Sequence, residues 1–434
     1  MTSTPNNRMI TIQHLICTIC TVLLVGTACS PQVERRFLSL EEMGVGPTAF
    51  DATLTRSKAN DPCRQQENYE IDLDHLDHFP MQYVRINIHW MNSEDSTQNI
   101  PEAEIEAYTR DIVFALNYAL ENNKKSWIPH NNDIPIHPTN FRYVLTGRPE
   151  DPTDDGIYYH YDDSLYYYVH WRRKHSNLYK RDVFDKYGVQ LDTVLNLFMM
   201  PHHRDSVASK SYPTETVGVA LRNAVKVAAP WKEVYGPKDT HWRYRGVINH
   251  EIGHIFSLRH AWTTSDGCDD TPRHNNRCWS RDVPGCDTLT SNNVMDYAAL
   301  QLAWTPCQIS RVHRRLMNPR YAARNFLEPR RCVLDPAATI TIREVIDWDC
   351  HKDLLGHLVI APGGVLTIRC NISLPENAKV TIRPGGKLIL DGGSLYQDCG
   401  LTWQGIEVEQ TNEEQGQLEL LNGGRVDNIT LGNE

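Results

Sequence analysis

The chain has 434 residues, more than one hydrophobic core usually organises, so two domains and an export segment are expected. Its formal net charge of −10 and pI near 6.0 describe a mildly acidic protein, and no run of Lys or Arg is long enough to follow a phosphate backbone. Nucleic acid is therefore excluded as an expected partner.

Residues 1–29 carry one cation, Arg8, then an apolar stretch that ends in small residues before Cys29, the layout of a secretory signal. Gly26-Thr27-Ala28-Cys29 resembles a bacterial lipobox, which would make Cys29 the acylated first residue of a cell-envelope lipoprotein and the membrane a partner through its lipid. The position that is usually Leu or Val is Gly26 here. A cleaved signal of a secreted protein and a single-span anchor are the alternatives, and all three readings place the protein outside the cytoplasm. Export makes disulfides the default for the cysteines beyond Cys29: Cys63, Cys268, Cys278, Cys286, Cys307, Cys332, Cys350, Cys370 and Cys399. Their number is odd, so at least one thiol is free or pairs between chains.

Residues 30–60 are polar without a sustained period and read as a flexible tether. Residues 61–330 read as an α/β (α+β) domain. Tyr83 to Met91 alternates Val84, Ile86 and Ile88 with polar residues, giving a half-buried strand. PEAEIEAYTRDIVFALNYALENN follows with helical spacing, with Pro101 in the first turn and Glu102, Glu104 and Glu106 at the positive end. Further strand-like runs start near Phe141, Val194 and Val217, and the tyrosine-rich stretch Gly156 to Trp171 reads as a strand pair with aromatic cross-strand contacts. Residues 331–434 differ. LVIAPGGVLTI and VTIRPGGKLIL repeat strand, Pro-Gly-Gly and strand with Pro362 and Pro384 in register, 384 − 362 = 22 residues apart, and LELLNGGRVDNI is a weaker third echo. Such a period is that of a small all-β parallel β-solenoid, whose face could contact a glycan or an envelope partner.

The stretch NHEIGHIFSLRH, Asn249 to His260, carries the chemistry. Residues four apart share a helix face, so His250 and His254 can reach one Zn2+, while Glu251 points beside that ion, where a carboxylate can take a proton from water. HExxH by itself also occurs in ordinary surface helices, so the third ligand matters. His260 follows His254 by six residues and is favoured; no Glu occurs between Glu251 and Glu328, which leaves Asp266 or Asp269 as alternatives.

With these residues, the stretch resembles the metzincin peptidases, and among them the pappalysin type. SNNVMDYA supplies Met295 for the family's methionine turn, 295 − 260 = 35 residues after the third histidine. Asp266-Gly267-Cys268-Asp269-Asp270-Thr271-Pro272 and the helix-like TPCQISRVHRRL resemble the family's later segments. The resemblance implies a twisted mixed sheet with an active-site helix, one catalytic Zn2+ on His250, His254 and His260, Glu251 as general base, and peptide or protein substrates. It also implies Tyr297 as a catalytic group aimed at the developing oxyanion, with Met295 as an apolar base beneath the imidazoles. Crossed disulfides Cys268–Cys286 and Cys278–Cys307 would follow from it, with Cys307–Cys332 as a competitor. The chain departs from the family at Ser257, where a glycine is usual, and at Ala298 to Trp304, which lacks the acidic pair that would support Ca2+. The expectation is an extracytoplasmic zinc endopeptidase, against the alternative of a surface-binding protein with a structural zinc. Cys63 is read as half of a disulfide rather than a thiol that blocks the zinc.

Overall fold

The computed structural model describes residues 33–43, 61–170, 172–212, 217–228, 241–263 and 266–430. The expected signal and the Cys29 lipidation site lie outside these residues. Among the described residues, no helix is long and apolar enough to cross a membrane.

The N-terminal part of the body is a six-stranded mixed sheet. Its centre is β2 (Gln82–Asn92), eleven residues long. β3 (Phe141–Leu145) pairs in parallel with the first half of β2, and β4 (Ile157–Tyr161) with its second half. On the other side follow β5 (Leu195–Met200), β7 (Ala224–Ala228) and the edge strand β6 (Gly218–Leu221), which alone runs antiparallel. The run from Val217 thus divides into a hairpin, turned at Arg222 with φ 68°. Val84, Ile86, Ile88 and Trp90 of β2 face helices α1 (Glu102–Glu121) and α4 (His241–Ile255), as period-two alternation requires, and join the largest core cluster. Trp90 also donates its indole N–H to Thr109 of α1 at 2.8 Å. The short helices α2 (Asp182–Tyr187) and α3 (Arg204–Val207) lie between strands, and α5 (Pro306–Met317) closes the domain behind a capping box of Thr305 and Gln308. The tyrosine-rich stretch gives only β4; beyond it the chain leaves the sheet, so no aromatic strand pair forms there. Tyr166 and Tyr168 instead fill a second core with Phe184 and Phe198.

The C-terminal part is a parallel β-solenoid of four three-strand coils among the described residues. These are β8 (Ile340–Ile342), β9 (Val345–Trp348) and β10 (Lys352–Asp353); β11 (Leu358–Ile360), β12 (Val365–Ile368) and β13 (Asn371–Ser373); β14 (Val380–Ile382), β15 (Lys387–Asp391) and β16 (Ser394–Tyr396); β17 (Ile406–Gln410), β18 (Gln417–Leu421) and β19 (Arg425–Val426). Leu358 pairs with Val380 and Val365 with Lys387, the expected 22-residue register. The third echo falls one side of the prism later than expected: Leu418 pairs with Leu388, so LELLNGGRV repeats β15 and β16 rather than β14 and β15.

Two further expectations are corrected. Residues 34–37 are not tether but strand β1 (Glu34–Phe37), antiparallel on β17, with Leu38 and Met43 in the solenoid core and Arg35 paired to Glu409 at 2.8 Å. An unpaired sheet edge is an aggregation risk, and β1 covers this one. The disulfides are Cys268–Cys307, Cys278–Cys286, Cys63–Cys370 and Cys332–Cys399, with Cys350 free and buried. The crossed pairs fail because Asp270 accepts from Thr305 Oγ1 (2.7 Å) and from the Cys307 N–H (2.9 Å), which sets Cys307 against Cys268. Cys278 is left to its neighbour eight residues on.

Cys63–Cys370 fastens the solenoid to the sheet domain, Cys332–Cys399 ties the segment leading into the first coil to the third coil, and charge completes the join. Arg324, almost wholly buried, meets Asp353 at 2.6 Å and Asp398 at 2.9 Å. Lys352 is buried too, its ammonium 3.4 Å from the Phe79 ring centroid and donating to the His78 carbonyl at 3.2 Å.

Candidate active site

Helix α4 carries the histidine motif on its inner side, with His250 and Glu251 buried and His254 half-buried. The helix stops because Ser257 takes φ 68°, a left-handed conformation that lets the Leu258 N–H reach back to the Gly253 carbonyl at 2.9 Å. Ser257 therefore keeps the turn for which a glycine is usual in the metzincins, at a cost of roughly 1 kcal/mol. The Ser257 carbonyl is held by Arg311 of α5 at 3.1 Å. The reversed chain then delivers His260 beside the other two imidazoles.

His254 Nε2 lies 3.1 Å from His250 Nε2 and 3.1 Å from His260 Nε2. These contacts are not hydrogen bonds of the usual kind. His250 Nδ1 stands 2.8 Å from the Val294 carbonyl and His254 Nδ1 2.9 Å from the Leu258 carbonyl, so each Nδ1 carries the proton and donates it. The Nε2 atoms of these two rings are then bare lone pairs aimed at one another, an arrangement only a cation relieves. A tetrahedral Zn2+ with bonds of about 2.0 Å sets its ligand nitrogens roughly 3.3 Å apart, close to what is found. Burial pushes the His250 pKa down to about 3 and the His260 pKa to about 4, and lowers that of His254, so all three are neutral and ready to ligate near neutral pH.

Met295 is fully buried beneath this group. It can approach because Gly253 has no side chain: a Cβ there would lie 2.6 Å from Met295 Sδ. The same turn supplies the Val294 carbonyl to His250 and the Met295 carbonyl to the Ala261 N–H, 3.0 Å. Two residues on, Tyr297 is 58% exposed rather than packed beneath the helix, with its ring 4.9 Å from His260 and 5.7 Å from His250. Trp262 stacks on His260 at 4.2 Å and closes the third side.

Glu251 is buried beneath edge strand β6. A Cβ at Gly218 would sit 2.5 Å from Glu251 Cγ, so strand and carboxylate touch. Burial raises the Glu251 pKa to about 7, against a backbone hydrogen bond from Ala220 that lowers it. A base with a pKa near 7 is suited to receive and return a proton at neutral pH.

The other candidates stay apart. Asp266 is committed to Thr271 and to the Cys268 N–H, 3.1 Å, and is not a ligand alternative in this arrangement. His175, His203 and Asp205 also cluster, but the two rings stack face to face, 4.0 Å apart and 15° from parallel, so their lone pairs do not converge as those of the main trio do. Sequence reasoning missed Gly218, Gly253, Trp262 and His274. Their roles depend on approaches between distant segments, and only the position of Gly253 inside the motif offered a local signal.

Residues 195–317, which contain the entire site, match the model of the Peptidase_M43 family, described as Pregnancy-associated plasma protein-A. None of the curated protein sequences matches the chain. Solved structures similar to it include Tannerella forsythia mature mirolysin in complex with a cleaved peptide, at 18% identity over 57% of this chain and 95% of that one with a TM-score of 0.38. A Tannerella forsythia promirolysin mutant is 17% identical over 60% of this chain and 88% of its own, with a TM-score of 0.38. The stretch of this chain that builds the histidine site is thus the part that is similar to the Peptidase_M43 family.

Proposed function

We propose that the chain is a zinc-dependent endopeptidase that acts outside the cytoplasm, held at the cell envelope through Cys29. The observation that carries this reading is the trio of converging imidazole Nε2 atoms, two of them left bare because carbonyls hold the other ring nitrogen, beside a buried carboxylate. His250, His254 and His260 would hold the ion, which when bound supplies Lewis acidity at the scissile carbonyl and at the attacking water. Glu251 receives the proton of that water and delivers it to the leaving amine, and its burial keeps bulk solvent from competing for the proton. Tyr297, exposed at the rim beside His260, would donate its O–H to the oxygen that becomes negative. The neutral residues from Ala298 to Trp304 give Ca2+ no support. Residues 331–434 serve as a rigid spacer or a docking module for substrate, glycan or an envelope partner.

The test is cleavage of a mixed peptide library by residues 30–434, wild type beside Glu251→Ala, with bound zinc quantified in both. Wild-type cleavage abolished by a chelator and reduced at least 10²-fold by the substitution at equal zinc is expected. Equal zinc without cleavage by either form would refute the peptidase reading in favour of a binding protein.

A further inference from the structure

His274 lies near the site but is not one of the three converging histidines. It leaves the loop closed by Cys268–Cys307 and points its ring at the methionine turn. Its Nε2 meets the Asp296 carboxylate in a short contact, while Nδ1 lies 3.1 Å from the Pro272 carbonyl. Both ring nitrogens thus face acceptors when Asp296 is ionised, a geometry that the doubly protonated imidazolium satisfies. The side chains are 11% and 3% exposed, so this is a buried ion pair. Asp296 in turn accepts from the Tyr297 N–H at 2.7 Å, and its carbonyl accepts from Gln301 at 2.6 Å. Within two residues of it stand the Val294 carbonyl that orients His250 and the Met295 carbonyl that holds the chain next to His260.

We propose that His274 is a positioning residue of the metal centre, pinning Asp296 and so fixing the turn that orients His250 and presents Tyr297. Burial by itself would lower the pKa of His274, but the hydrogen bond and charge of Asp296 raise it above the ordinary value, in keeping with a standing positive charge. Removing one partner leaves the other charge buried and alone, whereas removing both charges leaves a neutral hydrogen-bonded pair. The pair thus links the disulfide loop to the orientation of the ligands.

The inference rests on the zinc peptidase reading, and its test reads zinc affinity as well as turnover, so the two can fail separately. In the full chain, His274→Gln is expected to weaken zinc retention against a competing chelator about tenfold and to lower kcat about tenfold at near-constant KM, the scale of other groups that orient metal ligands. Adding Asp296→Asn to it is expected to recover a good part of both losses. Asp296→Asn alone, which keeps the ring and its bond to Pro272, is expected to show an intermediate loss and serves should His274→Gln fold poorly. Zinc affinity within twofold of wild type in both single variants, or no recovery in the double variant, would overturn the proposal. Weakened zinc affinity in the variants of a wild type that itself cleaves nothing would keep the positioning role and sink only the peptidase.

Discussion

On the proposed reading, Gly218→Ala should separate the role of Glu251 from that of the three histidines. The added Cβ would stand 2.5 Å from Glu251 Cγ and 3.0 Å from Cδ and Oε1, where ordinary carbon contacts begin at about 3.5 Å. About 1 Å must be found, either by lifting β6 from Glu251 or by turning the carboxylate away. Both routes disturb the Ala220 hydrogen bond and move the base relative to the reacting water. A 1 Å misplacement costs on the order of 10²-fold in rate, or about 2.7 kcal/mol of barrier. The strand itself is not weakened, since Gly218 opens β6 outside the left-handed region and its backbone accepts Ala. The expected result is kcat lower by about 10²-fold with one zinc still bound and an unfolding midpoint near that of wild type. A kcat within threefold of wild type would refute the claim that β6 sets the position of Glu251.

Arg324→Ala removes the cation between Asp353 and Asp398 and leaves the buried Asp353 carboxylate uncompensated, while the half-buried Asp398 keeps Arg331 at 2.9 Å. It should destabilise the protein by about 3–5 kcal/mol in urea titrations, and a loss under 1 kcal/mol would contradict the buried network. Acid should destabilise the fold through His313 and His351, both buried and neutral, with pKa values pushed down by burial to about 4 and about 3. Because the folded values lie below the unfolded 6.5, the unfolded chain binds more protons below that pH. Stability is therefore complete above about pH 6.5 and declines toward pH 3, by roughly 2 kcal/mol per group at pH 5. An unfolding midpoint that does not change between pH 7 and pH 5 would refute it, as would an unchanged slope in His351→Gln.

The site was more legible than the frame around it, for physical reasons. The three histidines proposed as ligands and the carboxylate proposed as base lie within eleven residues on one helix and its turn, so local spacing determines their geometry. The left-handed conformation of Ser257 was foreseeable because the chain must reverse between His254 and His260. The solenoid was only half legible. Successive coils start at Ile340, Leu358, Val380 and Ile406, spaced 18, 22 and 26 residues, so a fixed period finds only the middle pair. Strand β1 was invisible because its partner β17 lies over 370 residues away and four residues of ERRF carry no pattern. The disulfide pairing failed for a similar reason: it depends on Asp270 seating the start of α5, a contact no spacing reveals.

The seat of β1 on the last coil also determines how the molecule answers to pulling. Tension applied from the N-terminal side enters at β1 and passes first into the β1–β17 ladder, then across the Cys63–Cys370 bond into the second coil. The histidine helix lies off that line. A protein tethered at that end could be tugged by a moving surface or a captured substrate while the solenoid carries the load in shear, and the catalytic geometry would be the last part to feel it.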